Sequence, residues 1–206
     1  MYTEWSTMSV RQSLLAILDQ GPCYGYQLRA EFERRTGSTW PLNVGQIYST
    51  LDRLERDGLV VKGETDDQGH VFYDITEPGR ATVRDWFASP VVRHEGTRDE
   101  LPVKLALAAT LPGVDVGDVV QRQRVASLAH LQELRRAQRA DESTADGGDI
   151  AWQLVIDGLL FQAEAEVRWL DHVEGRLARR AAESIELPLV VERPRRGRPV
   201  GSESAR

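Results

Sequence analysis

Residues Asn43–Lys62 read NVGQIYSTLDRLERDGLVVK. At about 3.6 residues per turn, Val44, Ile47, Tyr48, Leu51 and Leu54 fall on one apolar stripe. Gly45, Gln46, Ser49, Asp52, Arg53 and Arg56 fall on the other side. Asn43 suits the cap, because its side-chain oxygen can accept from orphan N–H groups of the first turn. Gly58 suits the left-handed stop. Beyond it, Leu59-Val60-Val61 is apolar and β-branched, so the period changes from helical to alternating. A capped helix with a polar leading edge, running straight into a strand, has the layout of a recognition helix followed by a wing. The same pattern fits a packing helix, so the flanking segments decide.

Upstream, Ser9-Val10-Arg11-Gln12 has capping-box spacing, and Leu14, Leu15, Ile17 and Leu18 carry a short helix to Gly21-Pro22. Tyr24-Gly25-Tyr26-Gln27-Leu28 opens a second helix that runs to Gly37. Three short helices with tight connections are the helix-turn-helix layout. Downstream, Val60–Glu64 and His70–Ile75 are predicted strands around the turn TDDQG. Thr76 then caps a helix with Pro78 in its first turn, carrying Val83, Trp86 and Phe87 as far as Pro90. Residues 1–90 therefore read as a winged helix-turn-helix domain with a two-stranded wing.

Residues 91–186 read as a helical domain. A polar link, Val91–Glu100, leads to a short apolar helix, Leu101–Leu111. Gly117–Ala140 and Ile150–Ala182 are long amphipathic helices around the loop DESTADGGD. The last helix places Trp152, Val155, Leu159, Ala163, Val167, Leu170, Val173 and Leu177 at three- and four-residue steps. One such hairpin cannot bury two faces by itself, so a second copy of the chain is expected against it. A monomeric helical subdomain is the competing reading. The fold class is mainly α, a winged domain plus a C-terminal long-helix dimerisation domain.

The chain has 206 residues, 41% hydrophobic and 28% charged, and bears a net charge of −6. No apolar run approaches the roughly 18–20 residues of a membrane span, and the N-terminus lacks the pattern of a signal peptide. Cys23 is the only cysteine, which excludes an internal disulfide and fits a reducing, cytoplasmic setting. The negative charge argues against a nucleic-acid partner, but it is uneven. Residues 187–206, read as a disordered basic tail, hold five arginines against two glutamates.

The run GQIYSTLDRLERDGLV, preceded by YGYQL and followed by the wing and TEPGRA, resembles the PadR family of bacterial transcription regulators. The resemblance is specific over Ser9–Phe87, whereas from Leu101 to about Ala182 only the helix pattern is shared. It implies a homodimer that binds a palindromic operator in double-stranded DNA, usually as a repressor. It also implies release by a small aromatic or drug-like effector in some members. Asn43, Gly45, Gln46, Tyr48, Ser49, Thr50 and Arg53 lie where family recognition helices face DNA. Gln46 can pair with adenine, and Arg53 can reach a phosphate or a guanine edge. Gly45 allows close backbone approach. Tyr24, Tyr26 and Tyr48 either touch phosphates or simply pack.

The wing departs from the family pattern. Its turn is acidic, leaving only Lys62 and His70 as DNA contacts, with Asp66 and Asp67 directed away. In the tail, Pro194-Arg195-Arg196-Gly197-Arg198-Pro199 resembles an AT-hook, with Arg195, Arg196, Gly197 and Arg198 fitting a narrow minor groove. The bland alternative is a solvated basic tail.

Trp152, Phe161 and Trp169 form a candidate effector pocket, or else core. The histidines are scattered, no phosphate loop or serine elbow is present, and Glu164 and Glu166 read as surface or inter-subunit charges. No catalytic residue, metal site or cofactor is expected. Cys23 reads as a packed residue, with a redox sensor as its alternative. Two further function classes fit less well: a nucleoid-type DNA-bridging protein using the tails without operator specificity, and a protein-interaction module that leaves DNA alone.

Overall fold

The computed structural model describes residues 5–91, 100–142, 150–180 and 187–190. Helix α1 (Trp5–Leu18) begins upstream of Ser9, so the expected capping box lies inside a helix. Nothing between Trp5 and Met8 breaks a helix, and Val10, Leu14 and Ile17 anchor it in the core. After Pro22 the chain stays extended for two residues, forming strand β1 (Cys23–Tyr24) before α2 (Gly25–Arg35). The expected helix start at Tyr24 is therefore corrected: Tyr24 is the extended N-cap, with φ −93° and ψ 163°.

Helix α3 (Val44–Arg56) is capped by Asn43. It stops at Gly58, whose φ of 71° turns the chain so that Leu59 N donates to Leu54 O at 2.9 Å. Strands β2 (Val60–Thr65) and β3 (Val71–Ile75) pair antiparallel, Val60 opposite Ile75 and Lys62 opposite Tyr73. Strand β1 adds to the other edge of β3, with Cys23 opposite Tyr73. The sheet thus has three strands in the order β1-β3-β2, where sequence patterning gave only the hairpin. A two-residue strand carries no alternation to read.

Helix α4 (Glu77–Ala88) starts as expected, with Thr76 Oγ1 accepting from Gly79 N at 3.2 Å. Helices α5 (Glu100–Thr110), α6 (Val116–Glu142) and α7 (Ile150–Arg180) follow. Antiparallel α6 and α7 are laced by Arg124–Asp171 at 2.7 Å, Arg135–Glu164 at 3.0 Å and Gln138–Asp157 at 2.9 Å. Leu131, Leu134, Ile156, Leu160 and Ala163 fill the distal half of this hairpin.

The main core joins Leu14, Leu18, Leu28, Phe32, Ile47, Leu51, Leu54, Ile75 and Phe87 to Leu101, Leu105 and Leu107 of α5. Packing is continuous from the winged domain into α5, and Val91, expected in a polar link, is buried. Val125, on the amphipathic helix α6, is 67% exposed. Residues 187–190 are also corrected. They were expected in a disordered tail, yet they lie against α2 and α5, and Leu189 packs on the core. No helix among the described residues is long and apolar enough to cross a membrane.

Candidate nucleic-acid interface

On α3 one side is sealed and the other open. Ile47, Leu51 and Leu54 have no exposed surface, and α1 and α2 pack over them. Asn43, Gly45, Gln46, Ser49, Asp52, Arg53 and Arg56 are exposed. This face can meet a partner without unpacking the helix. Thr50, expected among the DNA contacts, is 4% exposed and belongs to the packed side. At that turn of the helix the apolar stripe is wider than the hydrophobic residues alone suggest.

Gln46 is exposed but not idle. Its backbone N donates to Asn43 Oδ1 at 2.7 Å, and its side-chain Oε1 accepts from Asn43 N at 3.2 Å. The pair forms a capping box that fixes the start of α3. Ser49 Oγ donates to the Gln46 carbonyl at 3.1 Å. To read a base with both amide atoms, Gln46 must release the cap.

The three tyrosines separate. Tyr24 is buried, stacked on His70 with ring centroids 4.5 Å apart and edge-on to Phe72 at 5.5 Å. It packs, and the phosphate reading of Tyr24 is set aside. Tyr26 is 50% exposed at the start of α2. Tyr48 is 36% exposed, and its ring lies across Gly25: a Cβ added there would stand 2.7 Å from Tyr48 Cζ. Burial, with Tyr26 nearby, pushes the Tyr48 pKa up, so the phenol is a neutral donor at neutral pH.

Both expected wing contacts are already engaged. Lys62 Nζ donates to Glu55 Oε2 at 2.6 Å. His70 Nδ1 lies 3.0 Å from Asp66 Oδ2, while Asp66 Oδ1 accepts from Gln68 N at 2.9 Å and His70 N at 3.0 Å. The His70 backbone donor leads the effect that holds the Asp66 carboxyl down at about 2, followed by the His70 side chain and then Gln68 N. Asp66 thus ties the wing tip together, a use the acidic turn did not reveal. Cys23 is buried, and its thiol is pushed up to about 12, chiefly by burial. It is an inert packed group.

Two sites escaped the sequence reading. A cavity of about 260 Å³ is lined by Pro90, Val91, Gln123, Ser127, His130 and Glu166, among others. Glu166, expected on the surface, is 6% exposed and accepts from Ser127 Oγ, and from Gln123 Nε2 at 3.2 Å. Gln123 also accepts from Val91 N at 2.7 Å and donates to Val91 O at 3.2 Å. The expected pocket residues are elsewhere: Phe161 is 72% exposed, Trp152 is exposed, and Trp169 packs against the main core. The i, i+4 spacing of Gln123 and Ser127 was the available signal.

The second site is a clamp on α2. Glu31 and Arg35 are buried, with Arg34 beside them, and together they hold the backbone of 187–190. Arg195, Arg196, Gly197 and Arg198 lie outside the described residues. Among the described residues, no group of three or more His, Cys, Asp or Glu is placed to hold a metal ion.

Residues 14–85 match the model of the transcriptional regulator PadR-like family. Residues 97–178 match that of the virulence activator alpha C-terminal region. The "Probable transcriptional regulator Rv1176c" of Mycobacterium tuberculosis is 28% identical over 81% of this chain and 96% of its own. The "Negative transcriptional regulator PadR" of Bacillus subtilis is 24% identical over 80% of this chain and 94% of its own. Among solved structures, Bacillus subtilis PadR with operator DNA is 23% identical, covering 81% of this chain and 98% of that one, with a TM-score of 0.38. The same protein with p-coumaric acid is 21% identical over 84% and 97%, with a TM-score of 0.37.

Proposed function

We propose, for a chain that its sequence matches ally with the PadR-like transcriptional regulators, that it acts in the cytoplasm as a homodimeric repressor. It binds a palindromic operator through α3, and a small-molecule effector sets its affinity. The open face of α3 carries this reading: Gly45, Gln46, Ser49 and Arg53 lie exposed along a helix whose other side is sealed. Gln46 and Arg53 supply base-edge and phosphate chemistry, and Tyr26 and Tyr48 supply neutral hydroxyls to phosphates. The engaged wing adds little positive charge, so the arginine tail supplies the electrostatic share.

Dimerisation rests on α7. Ile150, Leu154 and Phe161 fall on one side of this helix, turned away from the packed Ile156 and Leu160, and all three are exposed. A second copy of the hairpin is the occupant whose chemistry matches this stripe.

The effector site is the cavity beside Val91. Gln123 links Glu166 in its wall to the backbone that leaves the winged domain. A ligand that competes for Glu166 disturbs the grip on Val91. That link is a physical route from cavity to DNA-binding domain.

The test is titration of the full chain against DNA upstream of its own gene and against an unrelated fragment, at two salt concentrations. Preferential binding, weakened by salt, is expected. Equal affinity for both fragments would favour a nucleoid-type role, and no binding to either would overturn the DNA reading.

A further inference from the structure

Gln27, Glu31 and Arg35 stand four residues apart on α2 and are all buried, so this helix turns a polar stripe inward. Buried polar groups need partners, and the backbone of 187–190 supplies them. Gln27 Nε2 donates to Val190 O at 2.9 Å, and Val190 N donates to Glu31 Oε1 at 3.2 Å. Arg35 Nη2 donates to Leu187 O at 2.8 Å, and Arg34 Nη2 to Pro188 O at 2.8 Å. Leu187 N donates to Thr110 O at 2.9 Å, a carbonyl that Arg35 Nη1 also reaches at 2.7 Å. Glu31 Oε2 accepts from Arg34 at 2.7 Å and lies 3.1 Å from Arg35. Leu189 adds an apolar anchor, packing on the core beside Gly21. The stripe addresses the N–H and C=O groups of an extended peptide, much as a sheet edge does.

Losing the segment has a cost on α2. Glu31 and Arg35 keep each other but lose the backbone groups that complete them, and Gln27 loses its acceptor. Buried charges short of partners are expensive, so the helix must move to let water in. That movement reaches α3 because the start of α2 has no slack. Gly25 lies against the Tyr48 ring, where an added Cβ would stand 2.7 Å from Cζ. Leu28 and Phe32 of the same helix share the core with Ile47 and Leu51 of α3.

We infer that the polar stripe of α2 is a binding site for extended peptide backbone, and that its occupant, Leu187–Val190, is a latch on DNA binding. Docked, the segment sets α2 where it supports Tyr48 and the open face of α3. Undocked, it leaves α2 free to tilt and Tyr48 displaced, and operator affinity falls. The coupling is reciprocal: if docking favours DNA, then DNA favours docking by the same factor. The inference rests on α3 as the DNA-facing helix.

The experiment uses the full chain and three variants of it. Leu189→Asp and Val190→Pro act on the segment without touching α2, the second by removing the N–H that meets Glu31. Gln27→Met acts from α2, keeping the length of the side chain and removing its amide. Melting temperatures establish which variants remain folded. Operator affinity should fall about fivefold or more in each. Its slope against salt should stay unchanged, because no cation contact to DNA is lost. In the unsubstituted chain, operator DNA should slow amide hydrogen exchange at Leu187 and Val190 by a comparable factor. Full affinity in the folded variants, or exchange at those two amides that ignores the operator, would overturn the latch. A flattened salt slope would assign the loss to displaced tail arginines and overturn it as well. An unsubstituted chain without operator preference would bring down the α3 reading and the latch together, whereas operator preference with DNA-insensitive exchange removes the latch alone.

Discussion

Asn43 and Gln46 hold each other twice, Gln46 N donating to Asn43 Oδ1 at 2.7 Å and Asn43 N donating to Gln46 Oε1 at 3.2 Å. An exposed base-reading candidate of α3 is therefore also half of its capping box. Stability and recognition are coupled at this position, and substitutions can separate them. Gln46→Ala removes half of the box and should cost about 0.5–1 kcal/mol of stability as well as sequence preference. Gln46→Glu keeps an acceptor for Asn43 N, and so keeps the melting temperature. It also brings a negative charge to the DNA face and should lower operator affinity by at least about tenfold. Unchanged DNA binding by Gln46→Glu would move the recognition face elsewhere.

Gly25 and Gly79 both leave no room for a Cβ, but their neighbours differ in how far they can yield. At Gly79 the added atom would stand 2.3 Å from Leu59 O and 2.6 Å from Ile75 Cγ1. Backbone on the facing hairpin cannot step aside, so Gly79→Ala should destabilise the domain by about 2 kcal/mol or more in denaturant unfolding. At Gly25 the neighbour is the partly exposed Tyr48 ring, which can swing out. Gly25→Ala should cost less stability, yet it displaces Tyr48 and should weaken operator binding severalfold.

The contrast between α3 and the tail shows what the sequence made legible. The period of Ile47, Leu51 and Leu54, the cap at Asn43 and the stop at Gly58 are local, so they could be read directly, and they place the exposed face. Partners distant in sequence could not be read that way. Glu31 and Arg35 look like an ordinary i, i+4 surface pair until Leu187 and Val190 arrive from more than 150 residues away. Glu166 looks solvated until Gln123 and Ser127 of α6 close over it. The wing failed for a different reason: Asp66 supplies local hydrogen bonds that a charge count treats only as repulsion.

Leu154 and Phe161 test the proposed dimer. Both are exposed on α7, 67% and 72%, away from the α6 contact. Leu154→Glu with Phe161→Glu should shift the chain to monomer in sedimentation or light scattering while its helix content stays unchanged. Binding to a palindromic operator should fall by two orders of magnitude or so, because the two half-sites would no longer be engaged together. A double variant that remains dimeric would place the interface on another face.

The cavity wall offers an acceptor, Glu166, against largely apolar neighbours. A ligand with an apolar body and a hydrogen-bond donor, such as an arylalkylamine, should raise the melting temperature, and its carboxylic-acid counterpart should not. Glu166→Leu removes the shared acceptor; Ser127 Oγ keeps the Gln123 carbonyl at 2.9 Å and Gln123 Nε2 keeps Val91 O at 3.2 Å, but the second amide hydrogen of Gln123 loses its carboxylate, at a cost of about 1–3 kcal/mol. The same substitution should abolish the amine-induced shift. A shift with the acid alone would reverse the chemical class assigned to this cavity.

Lys104 gives the fold a pH signature. It is 2% exposed, its Nζ donates to Ser89 O and lies 5.5 Å from the centre of the Trp86 ring. Burial lowers its pKa to about 8, partly opposed by Glu100. From about 8 towards the ordinary 10.5, the unfolded chain keeps the proton and the folded chain releases it, so stability rises with pH. Below about 8 both states hold the proton, and the cost of burying the ammonium is fully present. Burial also raises the pKa of Cys23 from the ordinary 9.0 to about 12, so Cys23 lowers stability with pH over the same interval, and Tyr48 and Tyr73 do so above about 10. The Lys104 share is therefore read between pH 8 and roughly 9.5 as a difference from Lys104→Met, which keeps the stem over Trp86 and removes the titrating group. Relative to that variant, the unsubstituted chain should gain about 1–2 kcal/mol across the interval in denaturant unfolding, while Lys104→Met itself should lose stability as Cys23 titrates. Equal slopes for the two chains would assign the Lys104 proton to another residue.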